Sequence, residues 1–207
     1  MIGYRLMKRS GILFVISAPS GAGKTTLCDH LRKTDDFKYS ISCTTRPPRR
    51  DEKDGKDYFF MSEALLQEKL GKGYFLEHAS VHGHHYGTPI QPIKDSLANG
   101  LDILLNIDVH GARQIRDHSD PTIRSALVDI FLMPPTFAEL EKRLRKRATD
   151  DEKIIRERLV AAREEMSHWR QYDYVILSGS TEEDVQKFRV IVKAERYRTS
   201  RLTLEEI

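Results

Sequence analysis

Two cysteines in 207 residues, Cys28 and Cys43, are too few for a disulfide framework and do not have metal-site spacing. Cys28 falls in a helical segment, where burial as a small apolar residue is the expectation. No apolar run is long enough to span a bilayer, so no membrane partner is expected. Internal repeats and low-complexity stretches are also missing, which sets repeat architectures aside. Net charge is only +3 with His neutral, too weak by itself to argue for nucleic acid. What remains, 39% hydrophobic and 31% charged, is the composition of a soluble globular protein. The length suits one domain with a full core, or a core carrying small inserted subdomains. Met1 to Arg9 is basic and precedes apolar residues, which imitates a signal peptide. The apolar stretch is only about eight residues long and runs straight into a functional motif, so a cytoplasmic location is expected.

That motif is Ala18-Pro19-Ser20-Gly21-Ala22-Gly23-Lys24-Thr25, directly after Ile12-Leu13-Phe14-Val15-Ile16. It is close to the phosphate-binding loop G-x-x-x-x-G-K-[ST], placed where a strand should end and a helix begin. Small residues let the backbone curl so that several N–H groups face one centre. Lys24 adds positive charge to that anion nest, and Thr25 offers a hydroxyl to Mg²⁺. Ala18 stands where the pattern has its first Gly. The competing reading, a flexible glycine-rich turn, does not explain the strand-loop-helix order.

Hydrophobic periodicity gives strands at Ile12–Ser17, Tyr39–Thr44, Tyr58–Met61, Phe75–Val81, His85–Gly87, Leu101–Asp108, Val128–Met133 and Tyr174–Leu177. Helices are expected over Lys24–Lys33, Ser62–Leu70, Pro89–Asn99, Thr136–Arg147, Asp151–Arg170 and Thr181–Arg198. Ser62 is a candidate N-cap, with Leu65, Leu66 and Leu70 on one face and Gly71 as the stop. Alternating strands and helices predict an α/β fold with a parallel sheet flanked by helices, its ligands beyond the carboxyl ends of the strands. The short strands from Cys43 to Thr88 break that rhythm and read as an insertion.

Within the insertion, Thr44-Thr45-Arg46-Pro47-Pro48-Arg49-Arg50-Asp51-Glu52 continues to Gly55, Tyr58 and Phe60. Arg46, Arg49 and Tyr58 supply the fork-shaped donors and hydroxyl that suit a phosphate monoester. Here the chain resembles the guanylate kinases, whose signature T-[ST]-R-x-x-[KR]-x-x-[DE]-x-x-G-x-x-Y-x-[FY] is met at every fixed position from Thr44 to Phe60. The resemblance covers about Gly11 to Arg198. It implies a P-loop NTP hydrolase-like core over 10–42, 89–135 and 166–207, a GMP-binding subdomain over 43–88 and a helical lid over about 136–165, with the domain as a whole at 10–190.

The resemblance also implies roles. The loop Ala18 to Thr25 would bind ATP, with Lys24 catalytic and Thr25 on the Mg²⁺ that accompanies the nucleotide. Arg46, Arg49, Tyr58 and Tyr86 would hold the GMP phosphate. Ser42, Glu77 and Thr88 would read the guanine, whose adjacent N1–H and amine donors suit one carboxylate. Asp108 would lie near the acceptor nucleotide and the metal, where the plainer alternative is a salt-bridged structural aspartate. Arg143 and Arg147, four apart on one helix face, would join Arg158 as lid arginines that close over ATP. Arg145 and Lys146 are expected off that face and solvated. The implied activity is that of a nucleoside monophosphate kinase, giving ADP and GDP from MgATP and GMP, in purine nucleotide metabolism and GMP recycling. ATP and GMP are then the partners, without nucleic acid or membrane, and a homo-oligomer is compatible with everything read.

Some positions depart from the family pattern. Asn106 stands where relatives often have Asp, His110 where Gln is common, and Leu177-Ser178-Gly179-Ser180 replaces a frequent V-N-D-D stretch near the adenine. His78, His82, His84 and His85 tempt a zinc reading, set aside because Glu77, Tyr86 and Thr88 already explain that segment. Trp169 and Tyr172 to Tyr174 read as core or lid packing. Two other functions stay in view. One is a non-catalytic interaction module on this scaffold, which usually loses the loop lysine or the lid arginines. The other is a kinase for another phosphate ester, against which Glu77, Ser42 and Thr88 argue.

Overall fold

The apolar run before the phosphate loop lies at the centre of a parallel sheet. The structure is a computed structural model that describes residues 7–34, 36–81, 83–147 and 152–204. In chain order the elements are β1 (Met7–Arg9), β2 (Leu13–Ser17), α1 (Lys24–Leu31), β3 (Lys38–Tyr39), β4 (Cys43–Thr44), β5 (Phe59–Phe60), α2 (Glu63–Gly71), β6 (Phe75–Val81) and β7 (His84–Pro89). There follow α3 (Ile90–Ala98), β8 (Ile103–Asn106), α4 (Val109–Arg116), α5 (Pro121–Ala126), β9 (Leu127–Met133), α6 (Phe137–Arg147), α7 (Glu152–Ser167), β10 (Tyr174–Leu177), α8 (Thr181–Arg196) and β11 (Leu202–Leu204).

Strands run β10-β9-β2-β8-β3 in one five-stranded sheet, every neighbouring pair parallel. Side chains alternate across β2. Phe14 and Ile16 pack with Leu27 and Leu31 of α1 and with Phe188 and Val192 of α8. Leu13 and Val15 face Leu97, Ile115 and Ile123 on the other side. Phe14, Phe37 and Phe188 meet edge to face with centroids 5.7–5.8 Å apart. Truncating one such ring in a filled core costs about 3–5 kcal/mol. Asp102, buried at the entrance to β8, accepts from Arg9 Nη1 (2.5 Å), Arg196 Nε (2.7 Å) and the Ile12 N–H (3.0 Å). It thereby ties the chain entering β2 to α8.

A second sheet of four short strands, order β5-β4-β7-β6, stands on the core. Gln114 of α4 holds it, donating to the His78 carbonyl (2.7 Å) and accepting from the His78 N–H (3.0 Å). Helices α6 and α7 have a small core of their own, in which Leu140, Leu144 and Ala162 are buried.

Several expectations need correction. Tyr39–Thr44 is not one strand. Lys38–Tyr39 pairs with β8, and Cys43–Thr44 pairs with β5 and β7 in the other sheet. Its alternation survives the break because Tyr39 packs on one core and Cys43 on another. Ser62 does cap α2, accepting from the Leu65 N–H, but Leu65 is 41% exposed and Leu66 alone of that helix is buried. The helix stops at Gly71 as expected, and the turn after it passes through Gly73, whose φ of 64° is left-handed. The central strand is shorter than Leu101–Asp108, because Asp102 serves the ion cluster and Asp108 caps α4. Helices α4 and α5 were not anticipated, although Asp108 and Asp120-Pro121 are N-terminal signals. Helix α7 ends at Ser167 and passes into a 3₁₀ turn at His168–Gln171. Tyr172 packs on Phe131, whereas Trp169 is 38% exposed with Arg170 over its ring. The antiparallel ribbon of β1 and β11 was also unforeseen.

Candidate active site

The loop after β2 turns on Gly21 (φ 89°) and Gly23 (φ 105°), both in the left-handed region that favours glycine. Gly23 is the N-cap of α1 and brings no capping side chain, so the first N–H groups of α1 are open to an anion. Ala18 and Pro19 are buried beneath the turn, Ser20 is exposed, and the Ala22 N–H closes onto the Pro19 carbonyl (3.1 Å). Lys24 crosses the end of β8 and donates to the Ile107 carbonyl (2.5 Å). Burial pushes its pKa below the ordinary lysine range, opposed by negative charge on Asp108, Glu165 and Glu77. Thr25, Asp108 and Glu165 complete a cleft of about 270 Å³ around the loop.

Helix α6 rests on this loop. A Cβ at Gly21 would stand 3.0–3.1 Å from Leu144 and Leu140 side chains. Arg143 is held by Glu139 (Nε to Oε1, 3.2 Å) and reaches the Ala22 carbonyl (3.3 Å). Arg147 ends the helix, and its side chain lies outside the described residues. Arg158 sits on α7, partly buried. Beside the loop, a cavity of about 500 Å³ opens among Thr26, Arg143, Lys146, Ser178, Gly179 and Asp184. Lys146 therefore shares a face with Arg143, three residues away, contrary to expectation. Ser178 Oγ donates to the Ala22 carbonyl (3.3 Å), and the Gly179 N–H to Asp184 (2.9 Å). The departing stretch 177–180 thus forms one wall of this cavity.

In the second sheet Glu77 of β6 lies opposite Thr88 of β7, next to a register slip between Phe75 and Glu77. Thr88 donates its hydroxyl to Glu77 Oε1 (2.5 Å), and Ser42 Oγ lies 3.3 Å from Thr88 Oγ1. Glu77 is buried. Desolvation raises its pKa, helped by Asp108 and opposed by the Thr88 hydrogen bond and Lys24. Ser42, Thr88 and Tyr58 line a cavity of about 100 Å³ together with Ser40, Arg32 and Asn106. Tyr58 and Tyr86 meet edge to face at 6.0 Å, with the Arg46 guanidinium 5.6 Å over the Tyr58 ring. Arg49 is exposed. Asp108 faces the loop cleft and accepts from the Gly111 N–H (2.8 Å) as the N-cap of α4. No ion pair to Asp108 occurs among the described residues. His85 Nε2 lies 3.1 Å from Glu63, and His82 falls outside the described residues.

An anion nest and a buried hydroxyl-carboxylate set, linked by the charges of Lys24, Asp108 and Glu77, agree with the comparisons. The guanylate kinase family model matches residues 10–195. A guanylate kinase of Nitrosomonas europaea is 47% identical over 190 residues, covering 91% of this chain and 92% of that protein. One of Nitrobacter winogradskyi is 41% identical, covering 97% and 90%. The crystal structure of guanylate kinase from Anaplasma phagocytophilum superposes with a TM-score of 0.76 at 33% identity, covering 96% of this chain and 93% of that one. This chain belongs to the guanylate kinase family.

Three residues near the site escaped the sequence reading as functional. Glu52, the acidic position of the guanylate kinase signature, grips Arg46 Nη2 with both oxygens (2.8 and 2.9 Å) and accepts from the Arg49 N–H (2.8 Å). The signature itself was the signal, because its fixed acid needed a partner. Ser40 lines the cavity of Ser42 with a buried hydroxyl that has no hydrogen-bond partner among the described residues. Glu165 reaches the phosphate loop from α7 and accepts from the Ser20 N–H (3.2 Å). Nothing local in the sequence marks it, because it arrives from 145 residues away.

Proposed function

We propose that the chain transfers the γ-phosphoryl group of ATP to GMP, forming ADP and GDP, and that the residues above divide into donor and acceptor halves. The set of half-buried Ser42 with buried Thr88 and Glu77 carries this reading. A desolvated carboxylate can accept from both guanine N1–H and the exocyclic amine, while a hydroxyl donates to O6. Adenine reverses those polarities and leaves buried groups unpaired, which costs several orders of magnitude in kcat/KM.

In the transfer, a GMP phosphate oxygen forms a bond to the γ-phosphorus as the bond to the β,γ-bridging oxygen breaks. The nucleophile is already anionic, so no general base is required. Arg46, Arg49, Tyr58 and Tyr86 would hold the GMP phosphate. The loop N–H groups and Lys24 would take the ATP phosphates. Preorganised donors of this kind are each worth about 10²–10³ in kcat. Arg143, Arg147 and Arg158 would add charge on the transferring oxygens and help exclude water. The cavity beside Ser178 and Gly179 would take the adenine. Oxygen ligands around the loop suit a hard cation, so the Thr25 hydroxyl would hold the Mg²⁺ of MgATP, which supplies charge neutralisation on the phosphates. Asp108 would serve both halves, since it lies between Lys24 and Glu77.

The small core of α6 and α7 supports a lid over about 136–165 that moves as a unit, and the second sheet supports an acceptor subdomain over 43–88. No described helix is long and apolar enough to cross a membrane. Two buried free thiols fit the reducing cytoplasm. The test is ADP release from MgATP with GMP, AMP, CMP, UMP and dTMP in turn. Turnover with GMP far above the others is expected, and none with GMP overturns the reading.

A further inference from the structure

The chain itself brings an anion to the phosphate loop. Glu165 Oε2 accepts from the Ser20 N–H at 3.2 Å, and its carboxylate lines the same cleft as Lys24, Thr25 and Asp108. That N–H belongs to the loop whose curl would otherwise receive phosphate oxygen. A phosphate entering the nest must therefore displace Glu165 or share the space with it. Lys24 donates to the Ile107 carbonyl and acts on Glu165 as a nearby positive charge, with no ion pair between the two among the described residues. The cleft thus offers a polyphosphate one lysine and two carboxylates, Asp108 and Glu165.

We propose that Glu165 is a specificity-determining residue that excludes metal-free nucleotide from the phosphate loop, holding the Ser20 N–H until a charge-neutralised donor displaces it. Metal-free ATP carries about four negative charges near neutral pH and meets both carboxylates. MgATP carries two fewer and brings a cation that carboxylates attract. The same residue links donor binding to the lid. Glu165 and Arg158 are seven apart on α7, two helical turns, and so share a face. The inference rests on reading the loop as the ATP phosphate site.

Calorimetric titration of the full chain with MgATP, and with ATP in excess chelator, tests it without turnover. Wild type is expected to bind MgATP and to bind metal-free ATP far more weakly. Glu165→Gln and Glu165→Ala are expected to tighten metal-free ATP roughly tenfold, one charge-assisted contact, while MgATP changes less. Glu164→Gln, on the adjacent exposed position, should match wild type. GMP affinity, measured on the same samples, reports an intact fold. If both Glu165 variants bind metal-free ATP no better than wild type, the exclusion role is wrong. If wild type binds neither form of ATP, the donor-site reading beneath it fails first.

Discussion

Gly111 leaves open the space that the Glu77 carboxylate fills. A Cβ at position 111 would stand 2.8 Å from Glu77 Oε2 and 3.3 Å from Ile107 Cδ1. Gly111 sits in the first turn of α4, where its N–H also satisfies Asp108. A glycine inside a helix normally costs about 1 kcal/mol relative to alanine. Here the missing methyl group lets α4 approach β6 closely enough for Glu77 and Asp108 to share one region. Gly111→Ala is expected to push Glu77 away from Thr88, raising the KM for GMP roughly tenfold with the KM for ATP little changed. Steady-state kinetics with each substrate varied decides this, and equal shifts in both would mean a general distortion of α4.

Glu77 shows a conflict between stability and recognition. Burial raises its pKa, so the folded protein holds this proton more tightly than the unfolded chain does. Such a group favours folding fully below the ordinary glutamate pKa, and the benefit is lost as pH rises through the shifted value. Glu77→Gln does not titrate and keeps an oxygen to accept from Thr88. The variant should therefore melt above wild type at pH 7 to 8, with the difference shrinking toward pH 4. It should also lose GMP selectivity. A melting difference that stays constant with pH would show that the Glu77 charge carries no stability cost.

The sequence made the phosphate-loop motif, the parallel sheet and the family signature legible for identifiable reasons. Ala18 to Thr25 and Thr44 to Phe60 are contiguous, so their chemistry is fixed by local spacing. The buried strands Leu13–Ser17 and Leu127–Met133 read as apolar runs because both of their faces are covered. The hidden parts depend on distant segments meeting. Glu165 reaches Ser20 across 145 residues, and Gly111 matters only because β6 lies against α4. The break between Tyr39 and Cys43 was invisible because period-2 alternation does not say which sheet each half joins. Lys146 is exposed, as expected, but lines the cavity of Arg143, because three-residue neighbours also share a helix face.

The fixed acid of the family signature has a structural task in this chain. Glu52 holds Arg46 through both carboxylate oxygens and accepts from the backbone of Arg49, so it aims two implied phosphate ligands together. Its pKa lies below the ordinary glutamate range, first because of Arg46 and then because of the Arg49 N–H. The pair is ionised across the working pH range, and a guanidinium held at Nη2 by Glu52 and at Nη1 by the Pro47 carbonyl can still present its remaining N–H groups. Glu52→Gln keeps the shape but loses the charge and one acceptor oxygen, leaving Arg46 free to swing. The KM for GMP should rise about tenfold. The KM for ATP and the melting temperature should change little, because partly exposed pairs contribute little to stability. Glu52→Asp, which keeps the charge on a shorter arm, should recover part of the loss. If Glu52→Gln binds GMP as wild type does, Arg46 is oriented by the Pro47 carbonyl and the tyrosines, and the ion pair does not position it for GMP.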